Sequence, residues 1–260
     1  MNPAVFKYVI LSCLRDKTAL TLIGLFVFII LISLFLGSTA VIESGPFSLA
    51  YGAGLLRLAG VAGLALIVTF SVRRLFEMKE ADFILACPVT RPQFTISVTA
   101  AFGVIAFILS LLVSLVVLAL FWGAVNLEGM VLWSGSIVIE YVLMSAVSVF
   151  FAMVITSGAG CVLIIFGFYI LSRMLGQLLS IASGMFSEMS ATSFIMSISS
   201  NILDVLSYFI PRLDLLAQSS WLLYGLDGLA HNILVIWLQA VLFIFIFLTA
   251  TVIDTRKRQF

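Results

Sequence analysis

Apolar positions along this chain come in blocks too long for a strand or a half-buried helix, with short polar breaks between them. A helix needs about 20 such residues to cross the hydrocarbon of a bilayer. Six blocks reach that length: Thr18 to Gly37, Gly52 to Val72, Ile96 to Phe121, Val131 to Thr156, Gly160 to Ser180 and Ile233 to Ile253. Six crossings return the chain to the side on which it began. The predicted fold is all-α integral membrane, one domain over residues 1–260 with six transmembrane helices.

Three segments are neither span nor simple turn. In residues 1–17, Tyr8, Ser12, Arg15 and Asp16 share a face, with Lys7 at its edge and Phe6, Val9, Ile10, Cys13 and Leu14 opposite. That pattern predicts an amphipathic helix lying in the membrane interface. Leu11 interrupts its polar side, and the plainer alternative is a flank that only orients the first span.

The loop 73–91 reads as a short helix up to Ala86, broken where Pro88 disfavours a helical residue before it. Segment 181–230 is far longer than an unstructured connection usually is. It carries Ile202, Val205, Leu206 and Phe209 at helical spacing before Pro211, then Leu213, Leu215, Leu216, Trp221, Leu222, Leu223 and Tyr224. These residues predict short helices on the outer leaflet, with Trp221 and Tyr224 at the interface. A structural lid that touches no ligand fits the same pattern.

Composition changes the picture by exclusion. The chain is 63% hydrophobic and 10% charged, with mean hydropathy +1.28; soluble domains carry about 25% charged residues. A soluble enzyme, a nucleic-acid binder and a disordered tail are excluded.

The net charge of +1 conceals a separation. Lys7, Arg15, Lys17, Arg73, Arg74, Lys79, Arg91, Arg256, Lys257 and Arg258 flank one set of span ends. The other set carries Glu43, Glu128, Glu188, Asp204, Asp214 and Asp227 against Arg212 alone. Lys and Arg are retained in the cytoplasm, so both termini are expected inside, in the inner (plasma) membrane. Ser38-Thr39-Ala40 resembles a signal-peptidase site. The apolar run before it is longer than a signal h-region, so the first span is expected to stay as an anchor. Cys13, Cys87 and Cys161 then all fall at the inner side, and no disulfide framework is expected.

Three charges lie within spans: Arg57, Glu140 and Arg173. Ionisable groups there usually face a partner or a watery cavity. Glu140 is expected to pair with Arg173 or Arg57, leaving surplus positive charge for an amphiphilic or anionic substrate. A purely structural salt bridge, or Arg57 snorkelling to the interface, is the alternative.

The sequence contains no Gly-x-x-x-x-Gly-Lys loop, His-Glu-x-x-His pair or Gly-x-Ser-x-Gly elbow. The chain is therefore not expected to be an enzyme. Met174, Met185, Met189 and Met196 offer thioethers for Cu(I), but methionine fills apolar gaps equally well. No metal is expected.

The run Asp82-Phe83-Ile84-Leu85-Ala86-Cys87-Pro88-Val89-Thr90-Arg91 resembles the ABC-2 type transporter permeases, whose corresponding loop reads Glu-x-Leu-Leu-x-x-Pro-Val-Ser-Arg. Asp82 stands for the acid, Ile84-Leu85 for the aliphatic pair and Pro88-Val89-Thr90-Arg91 for the ending. Two departures are visible. Lys79-Glu80 replaces a Gly-Thr pair before the acid, and a Gly-Lys after the arginine is missing.

The resemblance implies a coupling helix that docks on an ATP-binding cassette ATPase subunit through Phe76, Glu77, Glu80, Asp82, Phe83, Leu85, Pro88 and Arg91. It also implies a second permease subunit, with no cofactor in this chain and ATP and Mg in the partner. Membrane lipids and a possible extracytoplasmic partner complete the expected company, without nucleic acid. Two other classes remain open: an ion-gradient-driven secondary transporter, which would show inverted repeats and broken helices, and a non-transporting scaffold.

Overall fold

The computed structural model describes residues 2–39, 44–86, 89–123, 125–188, 210–225 and 230–257. The side chains of Ala19, Asp82, Leu85, 180–188 and 230–232 lie outside that description. Described residues form helices α1 (Pro3–Leu14), α2 (Lys17–Thr39), α3 (Ser44–Glu77), α4 (Glu80–Ala86), α5 (Arg91–Leu120), α6 (Leu127–Val154) and α7 (Gly158–Glu188). A 3-10 turn (Leu213–Leu215), α8 (Ser220–Tyr224) and α9 (Ala230–Lys257) follow. Six of these helices are long and apolar enough to cross a membrane: α2, α3, α5, α6, α7 and α9.

Local chemistry sets several helix ends. Asn2 accepts the Ala4 N–H at 3.0 Å with Pro3 at the first helical position, so α1 begins there. The Thr90 N–H donates to Gln93 Oε1 at 3.3 Å where α5 starts. Asn126 Oδ1 accepts from the Glu128 and Gly129 amides at 3.0 and 3.3 Å and starts α6. The α3–α4 break falls at Lys79, whose φ of 56° is left-handed and ends the first helix.

α3 and α6 form the centre, and most of their apolar length is buried. α2 packs on α3, α5 and α9 pack on α6 and on each other, and α7 lies against both central helices. The outer helices keep most of their apolar surface exposed. Small residues permit the close crossings. Gly63 lies under Leu22 of α2, and Gly60 lies under the Tyr141 ring of α6. The Trp237 indole donates to Ser136 Oγ at 3.1 Å and ties α9 to α6. Serines and threonines within the spans return their hydroxyls to backbone carbonyls one turn earlier, as Ser148 does to Met144 at 2.7 Å.

Contacts define two ends. At one, α1 meets α3, α4 and the start of α5. The Tyr8 hydroxyl donates to Glu80 Oε2 at 2.7 Å, Arg74 reaches Ser12 and Asp16, and the Asn2 amide donates to Ser97 Oγ at 2.7 Å. Thr255 of α9 meets Met153 of α6 at the same end. At the other end, residues 210–225 fold back between α3, α6 and α7.

The helices extend beyond several predicted spans. α3 starts at Ser44 rather than Gly52, and α7 continues past Ser180 to Glu188. The predicted helix over 1–17 ends at Leu14, and the chain turns at Arg15–Asp16. Val5, Val9 and Cys13 form its buried stripe, whereas Leu14 faces outward. Trp221 is buried against α6, and its carbonyl rests on Gly129, where no side chain intervenes. Tyr224 is exposed. The expected helix through Ile202, Val205, Leu206 and Phe209 lies outside the described residues, as do Glu43, Cys87, Asp204, Asp227, Met189 and Met196.

Candidate functional site

Arg57 on α3 and Glu140 on α6 meet in the middle of the bundle, at 2% and 0% exposure. Arg57 Nε donates to Glu140 Oε2 at 2.6 Å, and Nη2 approaches the same oxygen. Tyr169 of α7 donates its hydroxyl to Glu140 Oε1 at 3.1 Å. The carboxylate is thus held on both oxygens. Tyr141, one residue on from Glu140, donates to the Arg57 carbonyl at 3.2 Å and fixes the crossing from the other side. Of the two partners weighed for Glu140, the structure brings it Arg57.

The remaining guanidinium hydrogens go to the returning segment. Arg57 Nη1 donates to the Ala217 carbonyl, and Nη2 lies 3.5 Å from that of Leu213. Arg173 of α7, one turn beyond Tyr169, donates through Nη1 to the Leu213 and Leu216 carbonyls at 3.0 and 3.4 Å. The Leu213 carbonyl also accepts the Leu216 N–H at 3.2 Å, closing the 3-10 turn, and the two arginines draw the Leu213, Leu216 and Ala217 carbonyls together. Leu213, Leu216, Ala217 and Leu222 are buried, so residues 211–225 form a plug packed into the bundle rather than a surface loop. The Asn126 N–H donates to the Leu222 carbonyl at 2.8 Å and pins the plug's far side. Ala217 holds φ 43°, a left-handed conformation that a non-glycine residue enters at a cost of about 1–3 kcal/mol.

The plug was not legible as an arginine partner, since its acceptors are backbone atoms with no residue signature. The one usable signal was Pro211 followed by leucines in a segment otherwise rich in polar residues.

The second cluster is α4. Phe83 is 78% exposed and Met78, in the preceding turn, is 67% exposed. Glu80 is anchored by Tyr8, Glu77 is exposed 3.9 Å from Arg73, and Ala81 is buried. Phe76 turns inward against the core and Arg91 is half-buried, so neither belongs to the exposed surface. Pro88 and the side chains of Asp82 and Leu85 lie outside the described residues.

Two groups near this end have shifted acidities. The hydrogen bond to Glu80, aided by burial, pushes the Tyr8 phenol up from its ordinary value near 10. Burial pushes the Cys13 thiol up, against a weaker opposing bond to Ser71. Among the described residues no group of three or more His, Cys, Asp or Glu side chains converges.

A cavity of about 410 Å³ opens beside the plug, lined by Arg173, Gly176, Gln177, Arg212, Asp214 and Leu215. Arg212 Nη2 donates to Asp214 Oδ2 at 3.0 Å across its floor. No protein-family model matches this chain, and no curated protein matches it significantly.

Proposed function

We propose that the chain is the membrane-spanning permease subunit of an ATP-driven, ABC-2 type transporter that moves an amphiphilic or hydrophobic substrate, in the direction of export. The observation that carries this reading is α4: a separate short helix, braced by α1, that offers an exposed phenylalanine among charges. A turn between two spans needs no such element, whereas a partner that must push on the bundle does. Lys79 adds support. It occupies the position of the glycine in the resembled motif, and its backbone is left-handed, the conformation glycine favours.

In this reading both termini and α4 face the cytoplasm across the plasma membrane. The Lys and Arg residues gathered at that end support the orientation. A second permease subunit faces this one, and ATP and Mg belong to the ATPase partner. Force applied at α4 passes into α3 and reaches Arg57, where the plug is held.

The test is purification of the tagged chain from its native membranes, beside the Phe83→Asp variant. An ATP-binding subunit should accompany the parent chain and be lost from the variant, while the variant's melting temperature stays unchanged. A parent that brings no ATPase, or a variant that retains it fully, overturns the proposal. A non-transporting scaffold is the second reading, favoured by the full pairing of Arg57 with Glu140. It predicts the same docking but no change in substrate movement when the plug is loosened.

A further inference from the structure

The cavity beside the plug is not needed to satisfy buried Arg57 or half-buried Arg173. Arg57 is already neutralised by Glu140, and Arg173 is held by backbone carbonyls. Arg173, Arg212 and Asp214 nonetheless meet around one opening, with one carboxylate for two guanidiniums. Among the described residues, no other acid is hydrogen-bonded to either arginine. Among the described residues lining the opening there is one acid to two arginines, at the rim of a hydrophobic bundle where unneutralised charge is costly. Two atoms at this rim, Arg212 Nε and Asp214 Oδ1, are buried without a hydrogen-bond partner. The Arg212–Asp214 pair is therefore incompletely satisfied by the protein.

The wall of the cavity indicates the rest of the ligand. Arg173 and Gln177 lie one turn apart on α7, and Ile170, Met174 and Leu178 repeat on the adjoining face. Those three are exposed. An acyl chain laid along that stripe would bring its polar end to the cavity mouth. Gly176 forms the floor: a Cβ there would collide with the Asp214 carboxylate, so the space for this acid depends on the missing side chain.

We propose that this cavity is a binding site for a phosphate-type oxyanion, held by Arg173 and Arg212 and carried by an amphiphile whose chain lies along Ile170, Met174 and Leu178. Asp214 tunes the site by competing with the ligand for Arg212. Planar guanidiniums suit a phosphate diester because their paired N–H groups match its oxygens. Binding requires neither ATP nor a partner subunit. It therefore stands or falls separately from the transport reading.

The experiment uses the full-length protein in phosphatidylcholine nanodiscs, with and without phosphatidylglycerol, and counts retained lipid by native mass spectrometry. Short-chain phosphatidylglycerol and inorganic phosphate are added as soluble competitors. The parent should retain phosphatidylglycerol over phosphatidylcholine. Arg212→Gln should weaken retention about tenfold, the value of one charge-assisted hydrogen bond. Asp214→Asn should strengthen it, because the competing carboxylate is gone.

Opposite signs from two neighbouring substitutions separate a binding site from damage to the plug, which would weaken both. Competition by inorganic phosphate as strong as by the short-chain lipid supports the oxyanion site and identifies a soluble source. Competition by the lipid alone supports the amphiphile. Equal retention by the parent and Arg212→Gln, or loss in both variants, overturns the proposal.

Discussion

Replacing Glu140 by Gln is the sharpest probe of the bundle's centre. The substitution keeps an oxygen to accept from the Tyr169 hydroxyl and nearly preserves volume. What it removes is the charge opposite Arg57, a guanidinium only 2% exposed. Arg57 then retains the Ala217 and Leu213 carbonyls but no counter-ion. Breaking a buried pair by removing one partner costs about 3–5 kcal/mol. For a chain of this size, that corresponds to a fall on the order of 10 °C in the melting midpoint.

The double variant Arg57→Met/Glu140→Met removes both charges together. It leaves the Ala217 carbonyl and the Tyr169 hydroxyl without partners, each costing about 1–3 kcal/mol. It should still melt above Glu140→Met alone, and the cycle should show a clear coupling between the two sites. Thermal unfolding of the parent, Glu140→Gln, Arg57→Met, Glu140→Met and the double variant in one detergent gives the answer. A Glu140→Gln protein that melts with its parent, or a cycle that sums additively, would refute the account of the pair.

Other tests reach the periphery. Gly129→Ala places a Cβ on the Trp221 carbonyl, a backbone atom that cannot rotate away. Overpacking of this kind costs about 1–3 kcal/mol, and quenching of Trp221 fluorescence by iodide should increase. Lys79→Gly relieves a left-handed backbone and should stabilise the α3–α4 joint by up to about 1 kcal/mol, read as slower proteolysis there. The raised pKa of Tyr8 makes its contribution complete below pH 10, with loss as the pH climbs through the raised folded value. Tyr8→Phe should therefore remove a late component from the ultraviolet phenolate titration, and α1 should loosen in hydrogen exchange only at alkaline pH in the parent.

Sequence pattern reached the long helices because their signal is one-dimensional: length and apolarity alone decide whether a helix can cross. The break before α4 was not legible: Leu75, Met78, Asp82 and Leu85 read as one helical stripe up to Ala86, and the interruption is a left-handed turn at Lys79 that no side-chain pattern marks. The pairing of Arg57 with Glu140 was open because depth along a helix follows from counting, whereas the direction a side chain faces depends on how α3 and α6 roll together. That roll is set by Gly60 beneath Tyr141, a contact no linear pattern reveals. The inward turn of Phe76 and the burial of Trp221 went unseen for the same reason. Aromatic residues near a span end suit an interface and a core equally.

α3 is a single rod of 34 residues, from Ser44 to Glu77. It meets the other central helix at Gly60, which lies directly under the Tyr141 ring. With a rise of 1.5 Å per residue, roughly 25 Å of rod lie between Gly60 and Glu77, and roughly 5 Å between Gly60 and Arg57. A rod pivoting at that crossing is a lever of unequal arms. Travel at the α4 end arrives at Arg57 reduced about fivefold, and force arrives multiplied by the same factor. Hydrogen bonds lose their hold within a fraction of an ångström, so in the proposed transporter the short arm would suit unlatching of the plug.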